Sequence, residues 1–205
     1  MYEEILKQKT KLVFNKIVKI KTIGSFYLAG GTALALQFGH RESIDLDWFS
    51  KKSFSTKLLK KELSKLGNLR IDSEEEGTLN CSLDNVKLSF FEYPYRILFP
   101  LIGYEGIKIA DFKDIACMKL DAISSRGSKK DFVDLYFLLK EKSLEDFLIF
   151  FNKKYKGIEY NKLHLLKSLV YFKEAEADPM PKMIKEINWE KIKENILKKV
   201  KNINK

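Results

Sequence analysis

The order of apolar and polar residues predicts alternating helices and strands in the first part of the chain. Residues 2 to 20 space their apolar side chains three and four apart, which is typical of a helix with one buried face. "SFYLAG" follows as a short strand ending at Gly30, then "TALALQF" as a helix and "SIDLDWF" as a strand of alternating polarity. Residues 54 to 66 form an amphipathic helix that stops at Gly67.

The pattern then changes from strands to helices. Three strands are predicted at residues 69 to 76, 78 to 83 and 86 to 93. Pro94 and Pro100 cannot sit in a central strand, so the sheet is expected to end at "EYPYRILFP". From Asp111 onward the periodicity is helical, with breaks at "SSRGS", near Gly157 and at "DPMP".

These elements predict an α+β fold in two parts. A mixed sheet with flanking helices occupies an expected first domain at residues 1 to 105. Residues 106 to 205 form an expected helical domain that completes the active site.

Composition and charge narrow the function classes. The 205 residues are 45% hydrophobic, which is enough for a packed core, and the net charge of +10 favours a polyanionic partner such as a nucleotide or RNA. Cys81 and Cys117 are too few for a disulfide framework and indicate a reducing compartment. There is no signal-peptide order and no apolar run long enough for a membrane span, so a cytoplasmic protein is expected.

Two aspartates stand out in "SIDLDWF". In a strand, Ser43, Asp45 and Asp47 would line one face, with neighbouring side chains about 6.6 Å apart. Carboxylates this close repel each other unless a cation sits between them, and oxygen ligands of this kind suit Mg²⁺ or Mn²⁺. The alternative is a solvated strand face. The sequence therefore offers Asp45 and Asp47 as metal ligands.

A diglycine lies just before this pair in the chain. Gly30 and Gly31 have no Cβ atoms, so phosphate oxygens could approach the backbone at the start of the next helix, beside Thr32. A plain structural turn is the alternative for such a dipeptide. We expect Gly30, Gly31, Thr32 and Ser43 to bind the phosphates of an NTP.

In this order, "GGTALALQFGHRESIDLDWFS" resembles the nucleotidyltransferase superfamily and, more closely, the AbiEii/AbiGii toxin family of minimal nucleotidyltransferases. The resemblance extends to "VKLSFFEYPY", "DIACMKLDAISSRGSKKDFVDLYFLL" and "SLVYFKEAEADPMP", and covers about residues 26 to 185. It implies a nucleotidyltransferase-like mixed sheet, an NTP substrate and a divalent metal. It also implies a cognate antitoxin and RNA, such as the acceptor end of tRNA, as partners.

A second group of candidate residues lies in the helical half. Lys119 is the single charge in an apolar stripe, so it either extends to the surface or needs an anionic partner. Asp131 and Asp134 form the acidic face of the next helix and could be that partner, although Asp131 could also cap its helix. The family resemblance implies that Lys119 and Asp131 or Asp134 are catalytic.

The resemblance also exposes one departure. Nucleotidyltransferases usually bring a third carboxylate from a neighbouring strand, but the expected position in "VKLSFFEYP" holds Ser89, and Glu92 points to the opposite face. Two carboxylates with water, Glu92 acting through a bulge, or a weakly active protein all fit this pattern.

The sequence thus predicts a Mg²⁺-dependent transferase that moves a nucleoside monophosphate from an NTP to an acceptor hydroxyl. Two alternatives stay open: a non-catalytic module that binds nucleic acid or an antitoxin, and a γ-phosphotransferase. No Walker A, GxGxxG, HExxH or GxSxG segment supports another reaction class.

Overall fold

The computed structural model describes residues 1–203 and shows a seven-stranded mixed sheet packed with helices. The strands are β1 (Tyr27–Ala29), β2 (Leu46–Ser50), β3 (Leu69–Glu75), β4 (Thr78–Leu83), β5 (Val86–Glu92), β6 (Ile102–Tyr104) and β7 (Ile107–Ile109). Their order in the sheet is β3-β4-β5-β2-β1-β7-β6. The α+β class predicted from the sequence is confirmed.

The helices separate into those among the strands and those after them. Helix α1 (Gln8–Ile17) precedes the first strand, and α2 (Gly30–Phe38) and α3 (Thr56–Leu63) lie between strands. After the sheet come α4 (Phe112–Ser125), α5 (Lys129–Glu141), α6 (Leu144–Lys154), α7 (Lys162–Ser168), α8 (Lys173–Ala177) and α9 (Trp189–Ile203). Helix α4 packs against α2, α5, α6 and α7, so it joins the helical half to the helix that follows β1.

The predicted sheet was too short by one hairpin. Strands β6 and β7 pair with each other, and β7 also pairs in parallel with β1 through Leu28 and Ile109. The sheet therefore continues past "EYPYRILFP" to Ile109, and β7 lies beyond residue 105. At three residues each, they are too short for alternating polarity to reveal.

The predicted first helix is also shorter than its apolar pattern suggests. Residues 3–5 form a short 3₁₀ helix, Leu6 is extended, and α1 occupies only Gln8–Ile17. This N-terminal segment forms backbone hydrogen bonds with later parts of the chain. Tyr2 N–H donates to Leu36 O, and Ser43 N–H donates to Ile5 O. The apolar side chains of this segment thus reflect burial rather than a continuous helix.

Strand β2 starts later than predicted, which changes the setting of one candidate ligand. Asp47 lies within the strand, but Asp45 lies in the loop that precedes Leu46. The strand geometry assumed for the pair therefore applies to Asp47 alone.

Candidate active site

Asp47 lies directly beside the diglycine turn. Antiparallel pairing of β1 and β2 sets Ala29 opposite Asp47, so the chain enters α2 next to this carboxylate. Gly30 has a φ of +70°, and a Cβ at this position would lie 2.6 Å from Asp47 Oδ2. Both the backbone conformation and the close carboxylate thus require glycine here.

Gly31 is needed for a different close approach. A Cβ at Gly31 would overlap the Arg41 guanidinium and would lie 3.7 Å from Asp134 Oδ2. The second glycine therefore lets a buried ion cluster pack against the start of α2. The diglycine stands between that cluster and Asp47.

Thr32 holds the loop that carries Asp45. Its side chain is buried, its hydroxyl donates to the backbone carbonyl of Asp45, and the Ser43 hydroxyl lies 2.7 Å away. Thr32 does not line the cavity described below, whereas Ser43 does. The Thr32 hydroxyl is therefore used inside the protein, and phosphate contact by Thr32 stays a prediction.

The two candidate metal ligands carry charge that the protein leaves unpaired. Within residues 1–203, neither Asp45 nor Asp47 forms a salt bridge. Burial and the neighbouring Asp45 raise the pKa of Asp47, against the opposing influence of more distant cations. Two unpaired carboxylates at one site form a donor set that suits a hard divalent cation.

Strand β5 does not place a carboxylate beside Asp47. In the parallel pairing of β2 and β5, Ser89 lies opposite Asp47, as the sequence indicated. Glu92 lies opposite Ser50, three residues and about 10 Å further along the strands. The described part of the chain contains no group of three or more His, Cys, Asp or Glu side chains arranged to hold a metal.

Lys119 is buried and shared by two aspartates. It is 5% exposed, and its ammonium lies 2.8 Å from Asp131 Oδ1 and 2.6 Å from Asp134 Oδ2. The prediction of an anionic partner is confirmed, and the surface-seeking alternative is wrong. Two of the three N–H donors of Lys119 are used in this way, which leaves one for a group bound in the cavity.

Arg126 and Ser128 complete the contacts of Asp131. The Arg126 Nε donates to Asp131 Oδ2 at 2.9 Å, its Nη2 donates to Oδ1 at 3.1 Å, and the Ser128 hydroxyl donates to Oδ2 at 2.6 Å. Burial alone would raise the pKa of Asp131, but Lys119 and Arg126 outweigh burial and hold it well below its ordinary range. Asp131 is thus ionised and holds Lys119 and Arg126 in position, rather than capping its helix.

Arg41 and His40 hold Asp134 from the other side. Arg41 Nε and Nη2 form a two-pronged contact with Asp134 at 2.7 and 2.9 Å, and His40 Nε2 lies 2.8 Å from Oδ1. Burial lowers the pKa of His40, so its ring is neutral at pH 7 and donates from Nε2. Burial opposes ionisation of Asp134, but Arg41 and Lys119 dominate and keep its pKa well below the ordinary value.

The ion cluster carries one more positive charge than negative charges. Its cations are Lys119, Arg41 and Arg126, and its anions are Asp131 and Asp134. Both aspartates are 0% exposed and do not line the cavity, while all three cations do. The aspartates therefore position the cations, and the surplus charge faces the cavity.

One cavity of about 630 Å³ brings the candidate residues together. Its carboxylate side carries Asp45 and Asp47 next to Gly30, Gly31 and Ser43. Its cationic side carries Lys119, Arg126 and Lys130, the same cations that oppose the raised pKa of Asp47. An apolar and aromatic wall is formed by Ile44, Phe49, Phe91, Tyr93, Met118, Ala122 and Pro181. Six further charged residues also line the cavity: Lys7, Arg41, Glu42, Glu92, Asp121 and Lys182.

Sequence reasoning gave too little weight to two arginines. Arg41 and Arg126 are not among the candidate site residues named from the sequence. Both are cluster members. Their positions along the chain could have indicated this role, since Arg41 follows the diglycine helix and Arg126 lies between Lys119 and Asp131.

Comparisons with known proteins identify the family of this chain. The family profile described as "Nucleotidyl transferase AbiEii toxin, Type IV TA system" matches residues 12–202. The chain belongs to the AbiEii nucleotidyltransferase toxin family. Its members are nucleotidyltransferases, and membership implies a nucleotide substrate and an antitoxin partner.

Individual relatives extend this comparison. An uncharacterized protein of Aquifex aeolicus is 40% identical over 205 residues, which cover 96% of both chains. The structure of JHP933 from Helicobacter pylori matches with a TM-score of 0.56 at 18% identity, covering 97% of this chain and 93% of that one. MenT4, a nucleotidyltransferase toxin from Mycobacterium tuberculosis, matches with a TM-score of 0.59 at 12% identity, covering 94% and 80%. These two structures share the fold.

In the described residues, no helix combines the length and apolar character that crossing a bilayer requires.

Proposed function

We propose that this nucleotidyltransferase moves a nucleoside monophosphate from an NTP to a hydroxyl of RNA in a Mg²⁺-dependent reaction. The observation that carries the proposal is the convergence of Asp45 and Asp47, the diglycine and Lys119 on one cavity. Carboxylates for a cation and ammonium groups for a polyphosphate are both needed for this chemistry.

The proposed division of roles follows the geometry. Asp45 and Asp47 would hold the metal, which lowers the pKa of the acceptor hydroxyl and offsets phosphate charge when bound. Gly30 and Gly31 let the triphosphate approach the backbone at the start of α2. Lys119 donates its remaining N–H to the phosphates.

The transfer itself forms one bond and breaks another. The acceptor oxygen attacks the α-phosphorus and its proton passes to solvent, while the bond from the α-phosphorus to the oxygen that bridges it to the β-phosphorus breaks and pyrophosphate leaves. Lys119, Arg126 and Lys130 are placed to stabilise the charge that develops on the leaving group. The aromatic wall, where the Phe49 and Phe91 ring centroids lie 5.2 Å apart, offers an apolar surface for the nucleobase.

The metal proposal is tested by incubating the protein with each of four α-labelled NTPs, Mg²⁺ and total RNA. Wild type is expected to label RNA, and Asp45→Ala and Asp47→Ala are each expected to abolish labelling while the protein stays folded. Asp72→Ala, which removes an exposed β3 carboxylate, serves as the control and should retain full activity. Retained activity in both cavity variants would refute the metal assignment.

One observation supports a second candidate function. Ser89 stands opposite Asp47 where a third carboxylate is expected, which is consistent with a non-catalytic module that binds nucleic acid or an antitoxin. RNA binding without Mg²⁺-dependent incorporation of label would support this alternative. NTP labelled at the γ position separates γ-phosphoryl transfer from nucleotidyl transfer in the same assay. The tRNA acceptor end and a cytoplasmic location remain predictions.

A further inference from the structure

A second depression continues from the cavity at Asp45. Its volume is about 390 Å³, and Lys7, Ile44 and Asp45 line both it and the main cavity. Beyond these shared residues, it runs between the start of α1 and the turn before β5. The other lining residues there are Gln8, Lys9, Thr10, Asn85, Val86 and Lys87. We call this depression the α1–β5 groove.

The α1–β5 groove has unneutralised positive charge. Lys9 and Lys87 are exposed, and neither forms a salt bridge with any group in residues 1–203. The other lysines of α1 are neutralised, since Lys11 pairs with Glu3 at 2.6 Å and Lys16 pairs with Asp84 at 2.7 Å. Asp45 is the single acidic residue that lines the groove, and it lies at the cavity end.

The junction between cavity and groove is shaped by two further residues. Ile44 is 49% exposed although it lies beside the buried start of β2. Lys7 Nζ lies 3.8 Å from Glu42 Oε2, which places this cation at the same junction. A chain that passes from groove to cavity would therefore meet an apolar contact and the Lys7–Glu42 ion pair immediately before the two aspartates.

We propose that the α1–β5 groove holds the acceptor, a single-stranded RNA end whose terminal hydroxyl reaches Asp45 and Asp47. Phosphates behind that hydroxyl contact Lys9 and Lys87, and a sugar or base packs on Ile44. This inference rests on the proposed function and adds the acceptor path to it. Charge complementarity and continuity with the cavity both favour a nucleic acid over a protein hydroxyl as the acceptor.

The test removes the two groove lysines that do not line the cavity. Lys9→Gln with Lys87→Gln is expected to raise KM for a single-stranded RNA acceptor roughly tenfold. The slope of log KM against log salt should fall by about 1.4, because each lost phosphate contact on a single strand accounts for about 0.7. Binding of a non-hydrolysable NTP with Mg²⁺ should be unchanged.

A matched control removes the same charge elsewhere. Lys198→Gln with Lys201→Gln changes two exposed lysines of α9, which line neither the groove nor the cavity. This control is expected to keep the wild-type KM and salt slope. Larger effects in the α9 variant than in the groove variant would overturn the proposed path.

The outcomes separate the groove from the proposed function. If wild type transfers label but the groove variant matches it in KM and salt slope, the groove proposal is wrong and the proposed function stands. If wild type incorporates no α-label under any condition, the proposed function itself is wrong. Label that appears on protein instead of RNA would also overturn the groove proposal. A photoreactive nucleotide placed a few positions before the RNA 3′ end that crosslinks to residues 8–10 or 85–87 would support it.

Discussion

Helix α4 carries two buried charges that belong to different ion clusters. Near its start, Asp114 pairs with Lys154 of α6 at 2.7 Å, and both side chains are almost fully buried. Further along, Lys119 joins Asp131 and Asp134. Both clusters are formed by charges that would be costly to bury alone. They differ in balance and in access.

The Asp114–Lys154 cluster is balanced and closed. Lys154 also donates to Arg96 O at 2.8 Å, and Asp114 accepts from the backbone N–H groups of Leu98 and Phe99 at 3.0 Å. None of these residues lines the cavity. The pair thus ties the segment between β5 and β6 to two helices.

The Lys119 cluster is unbalanced and open. It carries three cations against two anions, and its cations line the cavity. Burial of a lysine is therefore not by itself evidence of a functional role. Surplus charge at the edge of a cavity is the feature that distinguishes the proposed active site.

The strongest test of this contrast is Lys119→Met. We expect transfer to fall by about 10³-fold, equivalent to about 4 kcal/mol of transition-state stabilisation. The fold should persist, because Arg41 and Arg126 still balance Asp131 and Asp134. Steady-state kinetics and a thermal melt measure the two effects separately. Unfolding of this variant would show that Lys119 is a structural residue like Lys154.

The converse substitution is Lys154→Met. It leaves Asp114 buried without its cation, and we expect a loss of about 3 to 5 kcal/mol in the free energy of unfolding. Activity per folded molecule should be unchanged. Urea unfolding measures the loss, and Asp114→Leu with Lys154→Met should recover part of it. A double variant no more stable than the single one would contradict this account.

Acid should weaken the Lys119 cluster. Asp131 and Asp134 have folded pKa values below their ordinary value, so their contribution to stability is complete above about pH 4 and decreases as pH falls further. Urea midpoints between pH 6 and pH 2.5 measure this dependence. Asp131→Asn should flatten the acid limb of that curve. An unchanged acid limb in this variant would mean that the ion cluster does not control acid stability.

The smallest effect is expected from Thr32→Val. This change keeps the shape of the side chain but removes the hydroxyl that holds the Asp45 carbonyl. We expect a stability loss of about 1 kcal/mol and roughly a tenfold rise in the Mg²⁺ concentration needed for half-maximal activity. Thr32→Ser should restore the wild-type Mg²⁺ dependence. If valine leaves the Mg²⁺ dependence unchanged, Thr32 does not position Asp45.

Much of this arrangement could be predicted from local pattern. The order of strand, diglycine, helix and aspartate strand was visible, because each element has its own periodicity and Gly30 marks the turn. Lys119 stood out because a lysine in an apolar stripe needs a partner. Ser89 was correctly aligned with Asp47 because the alternation of β5 fixed which side chains share a face.

Other features depend on contacts that sequence spacing does not reveal. Asp45 lies outside β2, and its backbone carbonyl accepts a hydrogen bond from the Thr32 hydroxyl. Asp114 and Lys154 are 40 residues apart and each looks like an ordinary helix-end charge. Arg41 reaches Asp134 across 93 residues. Tertiary packing decides these positions.

The central claim is tested most directly by a crystal structure of the protein with Mn²⁺ and a non-hydrolysable NTP. We expect an anomalous peak from Mn²⁺ within about 2.2 Å of oxygens from both Asp45 and Asp47. It also predicts triphosphate oxygens within hydrogen-bonding distance of Lys119 and the Gly31 amide. A bound nucleotide with the metal and phosphates away from these four residues would contradict it.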